Sequence, residues 1–221
     1  PLIIRTPMGG KRGYGPTHSQ SLEKHFLGIP NFAVIALNHR ISPKFIFENI
    51  KHINSTPFLV VENKILYTTK PSIKKIPSYN YSFSKNIFPD LIIKANIENP
   101  QLTIICYGGV LIDIEEVCFD LLIEEEIFVE IICSSLISHP NIENFSESLK
   151  KTSKLLIVEE GPTIASWGSE IVSKLIEKNI KINHLCRVGN NEIIPSSFKA
   201  ELNILPNKLN IKKSILNIVN L

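Results

Sequence analysis

The chain has 221 residues, of which 43% are hydrophobic and 20% are charged, with a formal net charge of +3. This balance is typical of a soluble protein that buries a substantial core, in one large domain or in two of ordinary size. No apolar run approaches the roughly 18 residues that span a bilayer. The first residues also lack the basic segment and the cleavage site of a signal peptide. We therefore expect no membrane partner and a cytoplasmic location.

The two ends of the chain differ in charge. Residues 1–90 contain 12 Lys+Arg and 4 Asp+Glu, whereas residues 91–221 contain 12 and 17. Halves of opposite charge suggest two domains, of which the basic one suits an anionic ligand. Its basic residues are scattered and form no recognisable nucleic-acid motif, so no nucleic-acid partner is expected. The four cysteines are widely spaced, show no metal-ligand pattern and fit reduced thiols.

Apolar runs alternate with helical patterns along most of the chain, which is typical of an α/β fold with a mostly parallel sheet. Before residue 68 we predict strands over 2–4, 33–37 and 58–62, with helices near 19–27 and 42–52. After residue 90 we predict strands over 102–107, 129–133, 155–158 and 182–185, with helices near 111–125, 142–151, 165–178 and 207–219. Residues 68–90 contain three prolines and no sustained periodicity, which predicts an interdomain linker.

The most informative segment is residues 5–23, with the sequence RTPMGGKRGYGPTHSQSLE. Its glycines allow the backbone to approach a ligand closely, and His18 stands one residue before a predicted helix. In an open α/β sheet, loops after the carboxyl ends of strands line the ligand crevice. An imidazole there can exchange protons near neutral pH, although an ordinary surface histidine is the alternative. Arg12, Tyr14 and Gln20 share this loop, and we expect them to lie in the same site.

Two further features follow the predicted strand over 155–158. Glu159 and Glu160 offer paired carboxylates, which suit either general acid–base chemistry or a role in capping and interface contacts. Trp167, at the start of the next helix, is expected to anchor packing. The sequence contains no GxSxG, P-loop, GxGxxG or HExxH motif, which argues against the common hydrolases, nucleotide enzymes and zinc proteases.

Three stretches resemble a known family. They are GPTHSQSLEKHFLGIPNFAVIALN (15–38), FLVVENKILY (58–67) and LLIVEEGP followed by WGSEI (155–171). Together they are similar to the transketolase-like superfamily, and most of all to the beta subunit, or fused beta half, of the decarboxylating component of 2-oxo acid dehydrogenase complexes. The resemblance implies that residues 1–67 are the second half of a pyrimidine-binding α/β domain. It also implies that 68–90 are a linker and 91–221 a transketolase C-terminal α/β domain with a mostly parallel sheet.

The same resemblance implies an enzyme that uses thiamine diphosphate and magnesium, both held mainly by a partner domain. His18 matches the family's active-site histidine, which assists proton handling and acyl transfer to a lipoyl carrier. The implied partners are an alpha subunit or fused alpha half, and a second beta copy that docks through the C-terminal domain. The resemblance also implies a loop that binds potassium through its backbone carbonyls, near Asn54 and Thr56.

Some expected features are missing from the sequence. The family's glutamate that activates the cofactor would lie upstream of Pro1, and the chain has no initiator Met, so we expect a fragment that is inactive alone. Residues 133–136 read CSSL where the family usually has Asp-Leu-Arg-Thr-Leu. Two alternatives stay open. One is a transketolase-like or acetoin-type carboligase, and the other is a non-catalytic assembly subunit of the same fold.

Overall fold

The computed structural model describes residues 2–69 and 75–221, which form two β-sheets flanked by helices. The smaller sheet contains three parallel strands in the order β1-β3-β2. Its elements are β1 (Ile3–Met8), β2 (Ala33–Ala36), α1 (Pro43–Lys51) and β3 (Phe58–Asn63). A proline at the first helical position begins α1, and Ile46 and Ile50 form its buried stripe. This strand–helix–strand unit confirms the parallel arrangement expected for the first part of the chain.

The larger sheet has six strands in the order β4-β5-β7-β6-β8-β9. Its strands are β4 (Tyr79–Phe83), β5 (Leu91–Ala95), β6 (Leu102–Tyr107), β7 (Val129–Ser134), β8 (Lys154–Val158) and β9 (His184–Val188). Its helices are α2 (Leu111–Glu125), α3 (Ile142–Thr152), α4 (Trp167–Glu177), α5 (Phe198–Ile204) and α6 (Lys208–Val219). Strands β6 to β9 are parallel to one another, and β5 pairs antiparallel with both β4 and β7, so the predicted α/β class with a mostly parallel sheet is confirmed.

Helices cover both faces of the larger sheet, so its central strands β6 and β7 are buried along their whole length. Along β6 the side chains alternate between two cores. Ile104 and Cys106 pack on the side of α2 and α6, whereas Ile105 and Tyr107 pack on the side of α3 and α4. The second of these cores also contains Val34 and other residues of the smaller sheet, so the two sheets share one packed interior.

Backbone hydrogen bonds join the two sheets directly. The segment after β7 runs along the edge of β2, where the amide of Ala36 donates to the Ser135 carbonyl at 2.9 Å. The amide of Ile137 donates to the Val34 carbonyl, also at 2.9 Å. The Ser138 hydroxyl accepts from the Val34 amide at 2.9 Å. This contact covers an edge that would otherwise leave unpaired backbone groups, and it fixes how the sheets face each other.

Two sequence expectations differ from the structure, and some of its elements were not predicted. The helix near 19–27 was wrong, because this stretch contains only a 3-10 helix over Glu23–Phe26. The carbonyl of Gln20 accepts from the amide of Gly9 at 3.2 Å, which keeps the chain out of a helix there, and Gly28 and Pro30 follow soon after. The strand expected over 182–185 begins and ends later, as β9. Strand β5 and helix α5 were not predicted.

The predicted linker, residues 68–90, is not irregular throughout. Its second half contains β4, whose residues pair with β5 in the register Tyr79 to Ala95 and Phe83 to Leu91. Residues 70–74 of this stretch lie outside the described residues. The domain limits at 67 and 91 therefore stay predictions, while β4 itself belongs to the larger sheet.

Trp167 provides a test of the shared core. Its side chain is 1% exposed and makes edge contacts with the rings of Tyr107 and Phe145, at centroid distances of 5.1 and 6.2 Å. We predict that Trp167→Ala lowers the free energy of unfolding by roughly 3–5 kcal/mol, because it removes a large buried ring and leaves a cavity. Denaturant titration measures the change. The control Ile176→Ala, on the exposed side of α4, should shift it by no more than about 0.5 kcal/mol. Equal shifts in both variants would contradict this role.

Candidate functional site

His18 lies in the loop that leaves the carboxyl end of β1, as the sequence predicted. The amides of His18 and Ser19 both donate to the Gly15 carbonyl, at 3.3 and 3.0 Å, and so form a tight turn. The bond from the Gly9 amide to the Gln20 carbonyl closes the base of the loop. The imidazole is exposed. The loop therefore presents a proton-exchanging group at the edge of the sheet where ligands bind in open α/β folds.

Two buried glutamates from the larger sheet's half of the chain hold the backbone of this loop. Glu160, which follows β8, accepts hydrogen bonds from the Gly10 amide and, at 2.7 Å, from the Asn63 side-chain amide. Glu201 of α5 accepts from the amides of Lys11, at 3.1 Å, and Gly13. The loop is thus anchored by residues that lie about 150 and 190 positions later in the chain.

The glycines of the loop serve this anchoring. A Cβ atom on Gly10 would stand 2.5 Å from the Glu201 carboxylate and 2.3 Å from the Leu205 side chain. A Cβ atom on Gly15, whose φ is +72°, would stand 2.2 Å from the Ser196 hydroxyl oxygen. The close approach that the sequence suggested for a ligand is made here by the protein's own residues 196–205.

Lys64, just after β3, holds the loop at His18 itself. Its ammonium group donates to the carbonyl of His18 and, at 3.4 Å, to that of Gly9. Burial lowers the pKa of Lys64, and attraction to Glu160 and Glu201 opposes part of that shift. A cation is therefore placed next to the candidate histidine, together with the two anchoring carboxylates.

The other residues predicted for the site lie in the same loop. The guanidinium of Arg12 lies 5.8 Å from the centre of the Tyr14 ring and donates to the Lys64 carbonyl at 3.4 Å. The side-chain amide of Gln20 donates to the carbonyl of Pro16. Arg12, Tyr14 and Gln20 are all exposed, as His18 is, so the loop presents all four residues to solvent.

Glu159 caps a helix instead of facing the loop. Its carboxylate accepts from the Ser166 hydroxyl at 2.6 Å and from the Gly168 amide at 3.5 Å, at the start of α4. Burial raises the pKa of Glu159 to about 7. Burial also raises the pKa of Glu23, which accepts from the Tyr107 hydroxyl nearby. Of the two readings of the Glu159–Glu160 pair, the contacts favour the capping and interface one.

The predicted potassium loop lies at the other end of the smaller sheet, before β3. The Thr56 hydroxyl donates to the side-chain oxygen of Asn31 at 3.3 Å, and the Ser55 carbonyl accepts from the Asn31 side chain at 3.1 Å. Asn54 is exposed. Binding of potassium at Asn54 and Thr56 stays a prediction. Among residues 2–69 and 75–221, no three His, Cys, Asp or Glu side chains are grouped as metal ligands would be.

Glu201 is the functional candidate that sequence reasoning missed. It lies in the seven-residue helix α5, too short to give a periodic apolar pattern. The available signals were Ser197 directly before the helix and Pro206 after it, which are typical of helix boundaries. They would have located the helix but not its contact with the loop.

Comparison with known proteins agrees with the resemblance read from the sequence. Residues 93–207 match the family described as transketolase, C-terminal domain. The chain is 28% identical over 179 residues to the pyruvate dehydrogenase E1 component subunit beta of Porphyra purpurea, covering 80% of this chain and 50% of that protein. It is also 28% identical over 178 residues to the mitochondrial 2-oxoisovalerate dehydrogenase subunit beta 2 of Arabidopsis thaliana, covering 80% and 47%. The chain therefore spans about half the length of these relatives.

A solved structure shares the fold. It is a split gene transketolase, an inactive beta4 tetramer, which matches with a TM-score of 0.72 and 18% identity over 99% of this chain and 67% of that one. Within the described part of the chain, no helix is both long and apolar enough to cross a membrane.

The raised pKa of Glu159 gives a pH-dependent prediction. The usual pKa is 4.5 and burial raises it to about 7, so between these values the folded state retains a proton that the unfolded state releases. The free energy of unfolding should therefore fall as the pH rises through this window, by roughly 3 kcal/mol in all. Glu159→Gln should flatten this slope in denaturant titrations at pH 5, 6 and 7. The exposed α4 variant Glu177→Gln should keep it, and an unchanged slope in Glu159→Gln would disprove the assignment.

Proposed function

The chain belongs to the transketolase C-terminal domain family, and on this premise we propose that it is the beta-type portion of a thiamine diphosphate-dependent 2-oxo acid dehydrogenase. Such an enzyme decarboxylates a 2-oxo acid and passes the acyl group to a lipoyl carrier. The observation that carries the proposal is the placement of His18, exposed at the carboxyl edge of the smaller sheet on a loop held by Glu160, Glu201 and Lys64. The names of the two relatives support the same reaction class.

The proposed role of His18 is to exchange protons with the substrate and the acceptor. Thiamine diphosphate, when bound, supplies the electron sink that makes decarboxylation feasible. His18 would donate a ring N–H to oxygen atoms on which negative charge develops. It would also give a proton to the sulfur that leaves when the S–S bond of the lipoyl acceptor breaks and the other sulfur takes the acyl group. Lys64 keeps the backbone of His18 in place and adds a positive charge nearby.

In this proposal the partner domain binds the diphosphate end of thiamine diphosphate. The amides of Gly10, Lys11 and Gly13 already donate to Glu160 and Glu201, so they are not available to bind a diphosphate. The exposed imidazole, in contrast, is open to a group that another domain brings to it. The described residues thus fit a cofactor whose diphosphate and magnesium are bound by an alpha-type subunit or fused alpha half.

The remaining partners follow from the same proposal. An alpha-type partner is favoured because both named relatives are beta subunits. A second copy docking through the C-terminal domain, a lipoyl carrier and potassium are further elements of the proposal, carried by the family resemblance. A cytoplasmic location is the sequence-based expectation, whereas one named relative is mitochondrial.

The proposal is tested by replacing His18 in the full-length protein assembled with its alpha-type partner. We predict that His18→Ala lowers the rate of acyl transfer from pyruvate or 2-oxoisovalerate to lipoamide by roughly 100-fold or more, because proton transfer is lost. Circular dichroism should show an unchanged fold. The matched control His52→Ala changes an exposed histidine at the C-cap of α1 and should leave the rate unaltered.

Two results would count against the proposal. Near-normal acyl transfer in His18→Ala would reduce His18 to an ordinary loop residue. Ketol transfer or aldehyde release by the unmodified enzyme, with no acyl transfer to lipoamide, would instead favour a carboligase.

A further inference from the structure

We propose that Glu201 is a positioning residue for His18, and that it sets the loop conformation in which the imidazole works. The assignment rests on the proposed function for its catalytic consequence. Its structural part rests on contacts of the loop alone. Glu201 acts through the backbone of residues 11–13, because its carboxylate accepts from the amides of Lys11 and Gly13.

The geometry assigns one carboxylate oxygen to each of two loop amides. Oε1 of Glu201 accepts from the Lys11 amide at 3.1 Å, and Oε2 accepts from the Gly13 amide. The side chain is fully buried, at 0% exposure. A buried carboxyl group without hydrogen-bond donors is unfavourable, and these two amides supply a donor to each of its oxygens.

The loop has no regular secondary structure to define its shape. Between β1 and the 3-10 helix at Glu23 it contains bends and a turn but no regular element, so its conformation depends on outside contacts. Residues around α5 supply several of them. A Cβ atom on Gly13, whose φ is +75°, would stand 3.0 Å from the Phe198 amide nitrogen, and Gly15 lies against Ser196.

Glu201 also acts on His18 indirectly, through the positive charge of Lys64. Glu201 attracts the ammonium group of Lys64, which donates to the His18 carbonyl. The carboxylate thus acts on the loop at two places. It binds the backbone amides before the turn directly, and it stabilises the cation that holds the carbonyl within the turn.

The test uses Glu201→Gln in the full-length protein with its alpha-type partner. The amide has the shape of the carboxylate, but one of its two ends is an NH2 group, so one loop amide must lose its acceptor. We expect hydrogen exchange of the peptide covering residues 9–22 to accelerate about tenfold or more, while β6 and α2 exchange as before. We expect kcat for acyl transfer from pyruvate to lipoamide to fall about tenfold, with the KM for lipoamide little changed.

Two further variants sharpen the test. Glu147→Gln alters an exposed glutamate of α3 and should change neither exchange nor kcat. Gly13→Ala disturbs the same contact from the loop side, with Glu201 intact, and should reproduce both effects even if Glu201→Gln does not fold.

The possible outcomes distinguish failure of the positioning role from failure of the proposed function. Unchanged exchange over residues 9–22 in both Glu201→Gln and Gly13→Ala would overturn the positioning role. Exchange that rises equally in β6 and α2 would overturn it as well. Faster loop exchange in Glu201→Gln would support the structural part of the assignment. If His18→Ala then showed normal turnover, the proposed function would be overturned while the structural part stood.

Discussion

Buried carboxylates must find hydrogen-bond donors, and at the junction of the two sheets the donors are backbone amides of one loop. Glu160 and Glu201 both lie in the half of the chain that forms the larger sheet, yet both accept from residues 10–13. Each side satisfies the other, because the loop has no regular secondary structure and its amides donate to both carboxylates, joined at Glu160 by the Asn63 side-chain amide. The shape of the His18 loop is therefore a property of both halves of the molecule.

The same junction is stabilised in two other ways. The segment after β7 adds to the edge of β2 through its backbone, which sets the distance between the sheets. Trp167 and its aromatic neighbours then fill the shared interior. The loop anchors, the strand edge and the shared core all join the same two sheets. A shift of one sheet against the other would therefore move the His18 loop through Glu160 and Glu201.

Much of the fold could be predicted from the sequence, since strands such as β6 and β8 are mostly apolar runs and helices such as α2 and α6 are long. The location of His18 at a strand end also followed from local pattern. The helix near 19–27 failed because a single contact, from Gly9 to Gln20, depends on how the loop closes. Glu201 could not be found because its partners lie about 190 residues away, and no local rule links them.

The glycines illustrate the same limit. Local reasoning correctly identified positions where the backbone is closely approached, but it could not tell what approaches. In the structure Ser196 and Leu205 occupy the space that side chains on Gly15 and Gly10 would need. A glycine-rich loop next to a histidine is therefore as consistent with a tight intramolecular contact as with a ligand-binding site. Only the tertiary structure distinguishes the two.

The central claim is that the His18 loop is held by buried carboxylates through its backbone. Amide hydrogen exchange at Gly10, Lys11 and Gly13, measured by NMR in the unaltered protein, tests this most directly. Exchange of these amides should be at least about 100-fold slower than in an unstructured peptide and should approach that of the Ala36 amide between the sheets. Exchange of these three amides at the rate of an unstructured peptide would contradict it.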